Sequence, residues 1–236
     1  MADNSYLIGD TPQLTVRNDV DASVTELTVR GSWDTDLRHA TIRALCGCLA
    51  EMPRTMIVDL ADLADPHGDS APTWQTARQY ARSHCAETTL MVCAEGNAAE
   101  ARRSAPQPPW THYRRLDLRA ELSSAGLARV VTRDACQAWG RPALANHAVF
   151  IMSELVTNAV LHTGTKMVAS VSVRGRRLHL AVRDGTGTPP RLVRANGTPL
   201  SRGTGLRLVR AASHAWGALP CRDGKVVWAT VDGGAG

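Results

Sequence analysis

Three polar side chains stand four residues apart within an otherwise apolar stretch of the sequence: Glu154, Asn158 and His162. Positions i, i+4 and i+8 share one face of an α-helix, so the spacing predicts a polar stripe on a helix whose other sides are packed. An amide oxygen is a hard ligand suited to Mg²⁺, and a neighbouring carboxylate can accept the proton of an attacking hydroxyl. The stripe therefore fits magnesium-nucleotide chemistry, although an ordinary exposed face of an amphipathic helix shows the same pattern.

Two glycine-containing segments follow this helix. Asp184-Gly-Thr-Gly187 comes directly after an apolar strand, and Gly203-Thr-Gly205 begins the next predicted helix. Glycines at a helix start let backbone N–H groups approach a phosphate, and the helix dipole favours its negative charge. Asp184 at a strand end can hold an amino group such as the N6 amine of adenine. Each segment alone is a common turn, but their order and spacing after the Glu154 helix predict a nucleotide site.

At these residues the sequence resembles the GHKL group of ATP-binding domains (gyrase, Hsp90, histidine kinase and MutL relatives). Within that group it is most similar to the bacterial anti-sigma-factor serine kinases of partner-switching systems. The similar segments are Ser153-Glu-Leu-Val-Thr-Asn-Ala-Val-Leu-His162 (N-box), Val182-Arg-Asp-Gly-Thr-Gly187 (second box) and Gly203-Thr-Gly-Leu-Arg-Leu-Val209 (glycine box). The resemblance covers roughly residues 110–232 and implies a GHKL (Bergerat) ATPase α/β sandwich.

The resemblance also implies ATP and Mg²⁺ as cofactors and assigns roles to residues of the three boxes. Asn158 would coordinate Mg²⁺, Glu154 would be the general base and Asp184 would bind adenine. His162 would lie near the phosphates or would be a packed histidine at the helix end. Gly203 and Gly205 would cradle the phosphates, and the remaining cofactor-binding residues implied by the boxes are Gly185, Gly187, Thr204 and Leu206.

The second box departs from the family's Asp-x-Gly-x-Gly pattern, because Thr186 stands where the first glycine is expected. The segment from Asp184 to Gly203 is short, and no transducer domain follows it, which argues against a gyrase-like or Hsp90-like machine. No dimerisation helix with a phospho-acceptor histidine precedes the domain, which disfavours a sensor histidine kinase. We therefore expect a small regulatory ATP-binding protein.

The elements that must position these boxes are predicted by periodicity and by turn residues. The pattern predicts a small α/β domain over residues 12–104, a proline-rich linker over 101–110 and an α+β sandwich over 111–232. In the first domain we expect strands over 13–16, 24–29, 55–60 and 89–93 and helices over 35–52 and 73–84. In the second we expect strands over 113–118, 167–173, 177–182 and 226–231 and around 216, and helices over 123–139, 143–162 and 205–213.

The charge of the chain divides at the same place. Residues 1–105 carry nine Arg against fifteen Asp and Glu, a net charge of −6, whereas residues 106–236 carry sixteen Arg and two Lys against seven acids, a net charge of +11. The sign change indicates two modules with different surfaces, the basic one suited to a nucleotide or an acidic partner. Only Lys166 and Lys225 are lysines, which we attribute to genome composition rather than to a physical demand.

The N-terminal half resembles a STAS domain, the fold of anti-sigma-factor antagonists, at Val29-Arg-Gly-Ser-Trp-Asp34 and Met56-Ile-Val-Asp-Leu60. Antagonists of that family carry a phosphorylatable serine in a turn before the next helix. In this sequence the turn reads Asp65-Pro-His-Gly-Asp-Ser70; no serine aligns, and Ser70 lies just beyond the motif. A helix cap by Asp69 or Ser70 is the alternative interpretation of these residues. We interpret this half as a degenerate STAS domain with a docking or regulatory role.

These observations predict an ATP-dependent protein serine kinase that phosphorylates a STAS-domain antagonist in a partner-switching pathway. The alternative is a non-catalytic module that binds ATP or sequesters a sigma factor or other partner. The resemblance raises a homodimer as one assembly. A nucleic-acid binder is disfavoured because the arginines are scattered without stacking aromatics. No apolar run of about 18 residues and no basic, then apolar, N-terminus is seen, so we expect a cytoplasmic protein without a membrane span. The six cysteines show no metal-site spacing.

Overall fold

A computed structural model describes residues 5–85, 87–94, 96–106, 112–188, 190, 204–221 and 223–232. The chain forms two compact units, one made of residues 1–7, 110–218 and 223–236 and the other of residues 8–109 and 219–222. Both contain helices and β-sheet, which confirms the predicted mixed α/β fold class.

Strands and helices alternate along much of the described chain. The strands are β1 (Ser5–Leu7), β2 (Leu14–Asp19), β3 (Val24–Val29), β4 (Gly31–Ser32), β5 (Thr55–Asp59), β6 (Leu63–Ala64), β7 (Thr89–Cys93), β8 (Tyr113–Leu118), β9 (Met167–Arg174), β10 (Arg177–Asp184), β11 (Ala215–Cys221) and β12 (Gly224–Asp232). The helices are α1 (Thr35–Ala50), α2 (Ala71–His84), α3 (Ala98–Ser104), α4 (Ser123–Ala138), α5 (Ala145–Thr163), preceded by a 3₁₀ turn at Pro142–Leu144, and α6 (Thr204–Ala212).

The N-terminal unit is built on a four-stranded sheet in the order β2-β3-β5-β7, with β2 antiparallel to β3 and the other pairs parallel. Asp34 caps the start of helix α1, because its Oδ1 accepts a hydrogen bond from the Leu37 N–H at 2.7 Å. Such a cap satisfies a backbone donor that the first helical turn leaves unpaired. Met52, at φ +59°, turns the chain away after the helix, so α1 ends before the predicted residue 52.

The turn before α2 lacks the side-chain cap that was one of its two sequence interpretations. Ser70 is 5% exposed, and neither it nor Asp69 caps the helix with its side chain. Instead the Asp65 carboxylate accepts the N–H groups of Asp69 and Ser70 at 2.9 and 3.0 Å. The Ser70 hydroxyl oxygen accepts the indole N–H of Trp74 at 2.8 Å. The predicted cap is therefore wrong, because the serine is turned inward to a buried tryptophan.

The first residues of the predicted linker are helical. Residues 101–104 form the end of α3, whose Ala98 and Ala101 are buried together with Ala105 in a cluster with Ile57 and Cys93. Small residues at positions i and i+3 let this short helix pack closely on its sheet. The predicted linker therefore begins too early in the sequence. Residues 107–111 lie outside the described part of the chain.

The C-terminal unit contains a six-stranded sheet in the order β1-β11-β12-β10-β9-β8. The central strand β10 is antiparallel to both of its neighbours. At one edge β1 pairs in parallel with β11; this strand was not predicted, because its pairing partner lies some two hundred residues away in the sequence. The other predicted elements of this unit are confirmed, with ends that differ by about two residues.

Helix α5 is the central helix of this unit. Its residues Ile151, Met152, Leu155 and Val156 are at most 2% exposed and belong to one core with strands β9, β10 and β12. In the described part of the chain, the stretch Pro142–Thr163 has the length and the mean hydropathy, 1.3, of a membrane span. The sequence analysis did not identify this stretch as a possible membrane span. Because Ile151, Met152, Leu155 and Val156 are buried within the unit, we interpret it as a core helix.

Candidate functional site

Glu154 and Asn158 lie one turn apart on α5, between the buried residues Leu155, Val156 and Ala159. Both polar side chains are half-buried. The 3.6-residue period places the apolar neighbours in the core and leaves this pair along the side of the helix. The predicted stripe is therefore formed on α5 at the two residues expected to carry the chemistry.

Gly205, in the first turn of α6, lies against this pair. A Cβ atom at Gly205 would be 2.6 Å from Oε2 of Glu154, 3.1 Å from Nδ2 of Asn158 and 3.3 Å from its Oδ1. A side chain would fit between the two helices at this position only if the Glu154 side chain moved. The structure thus brings the start of α6, from the glycine box, directly onto the two polar residues of the N-box.

The pair has the chemistry that a magnesium-nucleotide site requires. Among the described residues, Nδ2 of Asn158 is buried without a hydrogen-bond partner, and no hydrogen bond or ion pair involves the Glu154 carboxylate. An unpartnered buried amide costs free energy unless a ligand satisfies it. A side-chain amide oxygen and a carboxylate are suitable ligands or proton acceptors around Mg²⁺. The residues present therefore fit the cofactor that the sequence implies, whereas the role of Asn158 as the metal ligand stays a prediction.

His162 lies in the last turn of α5 and is exposed to solvent. The helix ends at Gly164, which adopts the left-handed conformation at φ +59°. Because glycine takes this conformation without steric cost, it is a common helix terminator. The interpretation of His162 as a packed histidine is therefore wrong, whereas its proximity to a phosphate stays a prediction.

Asp184 ends the central strand β10 and is 3% exposed. Its Oδ1 atom accepts three hydrogen bonds, from the Thr186 N–H at 2.9 Å, from the Thr186 hydroxyl at 2.7 Å and from Nζ of Lys225 at 2.9 Å. The register of the β10–β12 pair sets Asp184 directly opposite Lys225. The predicted adenine-binding carboxylate is thus held at a fixed position by its own chain.

The backbone beside Asp184 requires a glycine on the neighbouring strand. Gly224 has φ +148°, and a Cβ atom there would collide with the carbonyl oxygen of Asp184. This close approach lets β12 begin directly beside the end of β10, so that Lys225 reaches the carboxylate.

A chain of hydrogen bonds joins the turn after β10 to the end of α5. The Gly185 N–H donates to Oγ1 of Thr165 at 3.0 Å, and the Thr165 hydroxyl donates to Oγ1 of Thr163 at 3.2 Å. The Thr163 hydroxyl in turn donates to the carbonyl oxygen of Ala159 at 2.8 Å. A Cβ atom on Gly185 would lie 3.3 Å from Thr165. These contacts fix the second box relative to the helix that carries the N-box.

The remaining predicted residues belong to the second box and the glycine box. Leu206 is buried in the core of the unit. Gly187 is exposed, and a Cβ atom there would have no neighbour within 4 Å among the described residues. Thr204 is the first residue of α6. Gly203 lies outside the described residues, so its predicted role in phosphate binding stays a prediction.

The sequence interpretation missed two residues of the site, Lys225 and Thr165. Lys225 is one of two lysines among 27 basic residues, and its rarity together with the preceding glycine was a usable signal. The genome composition to which we attribute the scarcity of lysines does not explain this position, where the ammonium group makes an ion pair and the lysine side chain is only 9% exposed. Thr165 gave no comparable signal, since single threonines are common in loops.

Residues 144–234, less than half of the chain, match the family model of the histidine kinase-, DNA gyrase B- and HSP90-like ATPases. A search of curated proteins found no match. The matched range contains α5, the Asp184 turn, α6 and the strands β9 to β12. This part of the chain is therefore similar to a GHKL-type ATPase domain, which supports the resemblance seen in the three boxes.

Proposed function

We propose that the protein is a regulator that binds Mg-ATP and transfers its γ-phosphoryl group to a serine of a STAS-domain antagonist. The observation that supports this proposal best is the contact between Gly205 and the Glu154–Asn158 pair. It joins a carboxylate, an amide and a helix start within one site. These are the groups needed to accept a proton, bind a metal and approach a phosphate.

In the proposed reaction Glu154 accepts the proton of the substrate serine hydroxyl. A bond forms between the serine Oγ and the γ-phosphorus, the bond from that phosphorus to the β–γ bridging oxygen breaks, and ADP leaves with the electron pair. Mg²⁺, held by Asn158, would neutralise phosphate charge. The residues of this chain contribute mainly by positioning the reacting groups and by stabilising charge.

The partner is proposed from charge and from the family resemblance. Residues 106–236 carry a net charge of +11, which would attract both a triphosphate and an acidic protein surface. We propose a STAS-domain antagonist, a sigma factor or both as partners, in the cytoplasm. A homodimer is a further proposal that the resemblance supports.

The N-terminal unit supports a docking or regulatory role rather than a substrate role. Ser70, the serine nearest to the antagonist motif, is buried and accepts the indole N–H of Trp74. A kinase would need this turn to open before it could reach the hydroxyl. We therefore propose that the serine acceptor belongs to a separate protein.

A second candidate function is a module that binds nucleotide or partner without phosphoryl transfer. The specific observation in its favour is the second box, where Thr186 replaces a glycine and donates two hydrogen bonds to Asp184. The second box therefore departs from the family's glycine pattern, so the resemblance alone does not carry catalytic activity over to this chain.

The test uses the full chain in two steps. Calorimetric titration with Mg-ATP measures binding, and incubation with γ-labelled ATP and purified STAS-domain proteins measures transfer. We expect Glu154→Gln to bind Mg-ATP within about threefold of the wild type while transfer falls at least about 100-fold, as for loss of a general base. Asn158→Ala is expected to lose Mg-ATP binding.

Matched controls are available on the same unit. Asp134 is an exposed carboxylate on α4 and Asn146 an exposed amide on α5, so Asp134→Asn and Asn146→Ala should leave binding and transfer unchanged. Mg-ATP binding without any transfer would favour the non-catalytic module. Transfer that is undiminished in Glu154→Gln would contradict the role of Glu154.

A further inference from the structure

We infer that Lys225 is a specificity-determining residue of the nucleotide site, which fixes Asp184 so that its second oxygen selects a purine base bearing an exocyclic amine. This inference rests on the proposed function, because it requires that the domain binds a nucleotide whose base meets Asp184. It assigns a role to a residue that lies in none of the three boxes.

The contact is built into the strand pairing of the sheet. Asp184 and Lys225 are directly opposite one another in the antiparallel β10–β12 pair, so their side chains stand next to each other on one face. Nζ of Lys225 donates to Oδ1 of Asp184 at 2.9 Å, and the side chains are 9% and 2% exposed. Removing one partner of a buried ion pair destabilises a protein much more than removing one partner of an exposed pair, because the remaining charge stays buried without its counter-ion.

Thr186 completes the network. Nζ of Lys225 also donates to Oγ1 of Thr186 at 2.5 Å and lies 3.3 Å from its carbonyl oxygen. An ammonium group has three N–H donors, and these three acceptors can use all of them. The threonine at the expected glycine position therefore has a clear function, since its hydroxyl bridges the lysine and the carboxylate.

The hydrogen bonds to Asp184 leave one carboxylate oxygen for a ligand. The three hydrogen bonds that Asp184 accepts from described residues all end on Oδ1. Rotation of the carboxylate would break them together. Oδ2 is the oxygen that carries no such bond, and as part of an ionised carboxylate it can only accept. It therefore favours the amine of adenine and repels the carbonyl oxygen of a 6-oxopurine.

Removing the ammonium group should change this preference. Without the lysine, the Asp184 carboxylate keeps only its two hydrogen bonds from Thr186. Its rotation is then less restrained, and Oδ2 no longer has one fixed position for the exocyclic amine. We therefore expect Lys225→Met to lose selectivity between ATP and inosine triphosphate (ITP), which differ at this position of the base, in addition to any loss of affinity.

The experiment measures Mg-ATP and Mg-ITP binding by calorimetry on the full chain. We expect the wild type to prefer ATP by at least about tenfold, because a site built to accept a donor rejects an analogue that lacks it. The preference for ATP, given as the ratio of the Kd for Mg-ITP to the Kd for Mg-ATP, should fall at least about fivefold in Lys225→Met and in Thr186→Val. Both variants lose contacts that hold the carboxylate. The preference should be retained in Lys225→Arg, which keeps the cation, and in the control Lys166→Met, because Lys166 is exposed.

A purely structural role for Lys225 would weaken both nucleotides equally and leave the ratio unchanged, and that result would overturn the inference while the proposed function stands. Failure of the wild type to bind either nucleotide would overturn both. If Lys225→Met does not fold by circular dichroism, the ratio in Thr186→Val decides.

A ligand-free measurement tests the contact itself. The chain has only two lysines, so mass spectrometry after brief reductive methylation can follow each one. We expect Lys166 to be methylated and Lys225 to be protected, with Lys225 becoming reactive in Asp184→Asn. Equal methylation of both lysines in the wild type would overturn the inference independently of nucleotide binding.

Discussion

Gly205 on α6 lies so close to Glu154 on α5 that a Cβ atom on the glycine would come within 2.6 Å of the carboxylate oxygen Oε2. The two segments are far apart in the sequence, yet they meet at a position where a side chain has no room. Because the atom in the way is the end of a flexible side chain, a methyl group can be accepted if Glu154 rotates. Such a change would alter the geometry of the site without disturbing the core.

We therefore predict that Gly205→Ala lowers the affinity for Mg-ATP without lowering the stability of the protein. Alanine has a higher helix propensity than glycine, by up to about 1 kcal/mol in a helix interior and less in the first turn, where Gly205 lies. The free energy of unfolding should therefore not fall. Affinity for Mg-ATP should fall at least about tenfold, because the displaced Glu154 carboxylate and the methyl group disturb the Asn158 amide. Urea unfolding and calorimetric titration measure the two quantities.

Gly126 provides the matched control for this prediction. It lies inside α4, where a Cβ atom would meet only the end of the Arg129 side chain at 3.6 Å. Gly126→Ala should likewise not lower the free energy of unfolding, and it should leave Mg-ATP affinity unchanged. Equal affinities of the two variants would mean that the contact with Glu154 does not control the site.

Local signals in the sequence predicted much of this unit. The apolar period of α5, the alternation of β9 and β10 and the terminating Gly164 each depend on neighbouring residues. The relation of Glu154 to Asn158 follows from the helical period alone. Such features are predictable because the physical cause and its effect lie within one element.

Features that depend on distant residues were not predictable in the same way. Strand β1 is three residues long and exists through its pairing with β11. The inward turn of Ser70 depends on the burial of Trp74, which packs against the distant Trp33. The ion pair of Lys225 depends on the β10–β12 register, which a single strand pattern does not specify. In each case tertiary contacts decide among several local possibilities.

The second prediction concerns Ser70 in the N-terminal unit. Its Oγ accepts a hydrogen bond from the Trp74 indole N–H at 2.8 Å. Trp74 is 5% exposed, and the centroid of its ring lies 5.5 Å from the centroid of the Trp33 ring. Ser70→Ala would leave the buried indole N–H without a partner, at a cost of about 1–3 kcal/mol. We expect the free energy of unfolding to fall by this amount, measured by urea unfolding with tryptophan fluorescence.

The control variant and the double-mutant cycle for Ser70 both change residues of α2. Ser83 is exposed near the end of α2, so Ser83→Ala should change stability by less than about 0.5 kcal/mol. Trp74→Phe removes the donor, and in that background Ser70→Ala should cost less than it does in the wild type. An equal cost in both backgrounds would show that the hydrogen bond contributes nothing.

The third prediction concerns the pH dependence of the C-terminal unit. Partial burial lowers the pKa of His214 below its ordinary value of 6.5, the positive charge of Arg177 lowers it further, and the Asp232 carboxylate opposes the shift. The folded state therefore prefers the neutral imidazole. Below about pH 6.5 the unfolded chain binds more protons than the folded one, so stability must fall as the pH decreases.

We expect the urea midpoint of the wild type to decrease relative to that of His214→Gln between about pH 7.5 and about pH 5.5, because glutamine does not titrate. The difference should be small, since His214 is largely exposed and solvent screens its interactions. Added salt should reduce the part that comes from Arg177 but not the part that comes from burial. A wild type that gains stability relative to the variant at the lower pH would show that the charged imidazole is favoured instead, with Asp232 as its dominant neighbour.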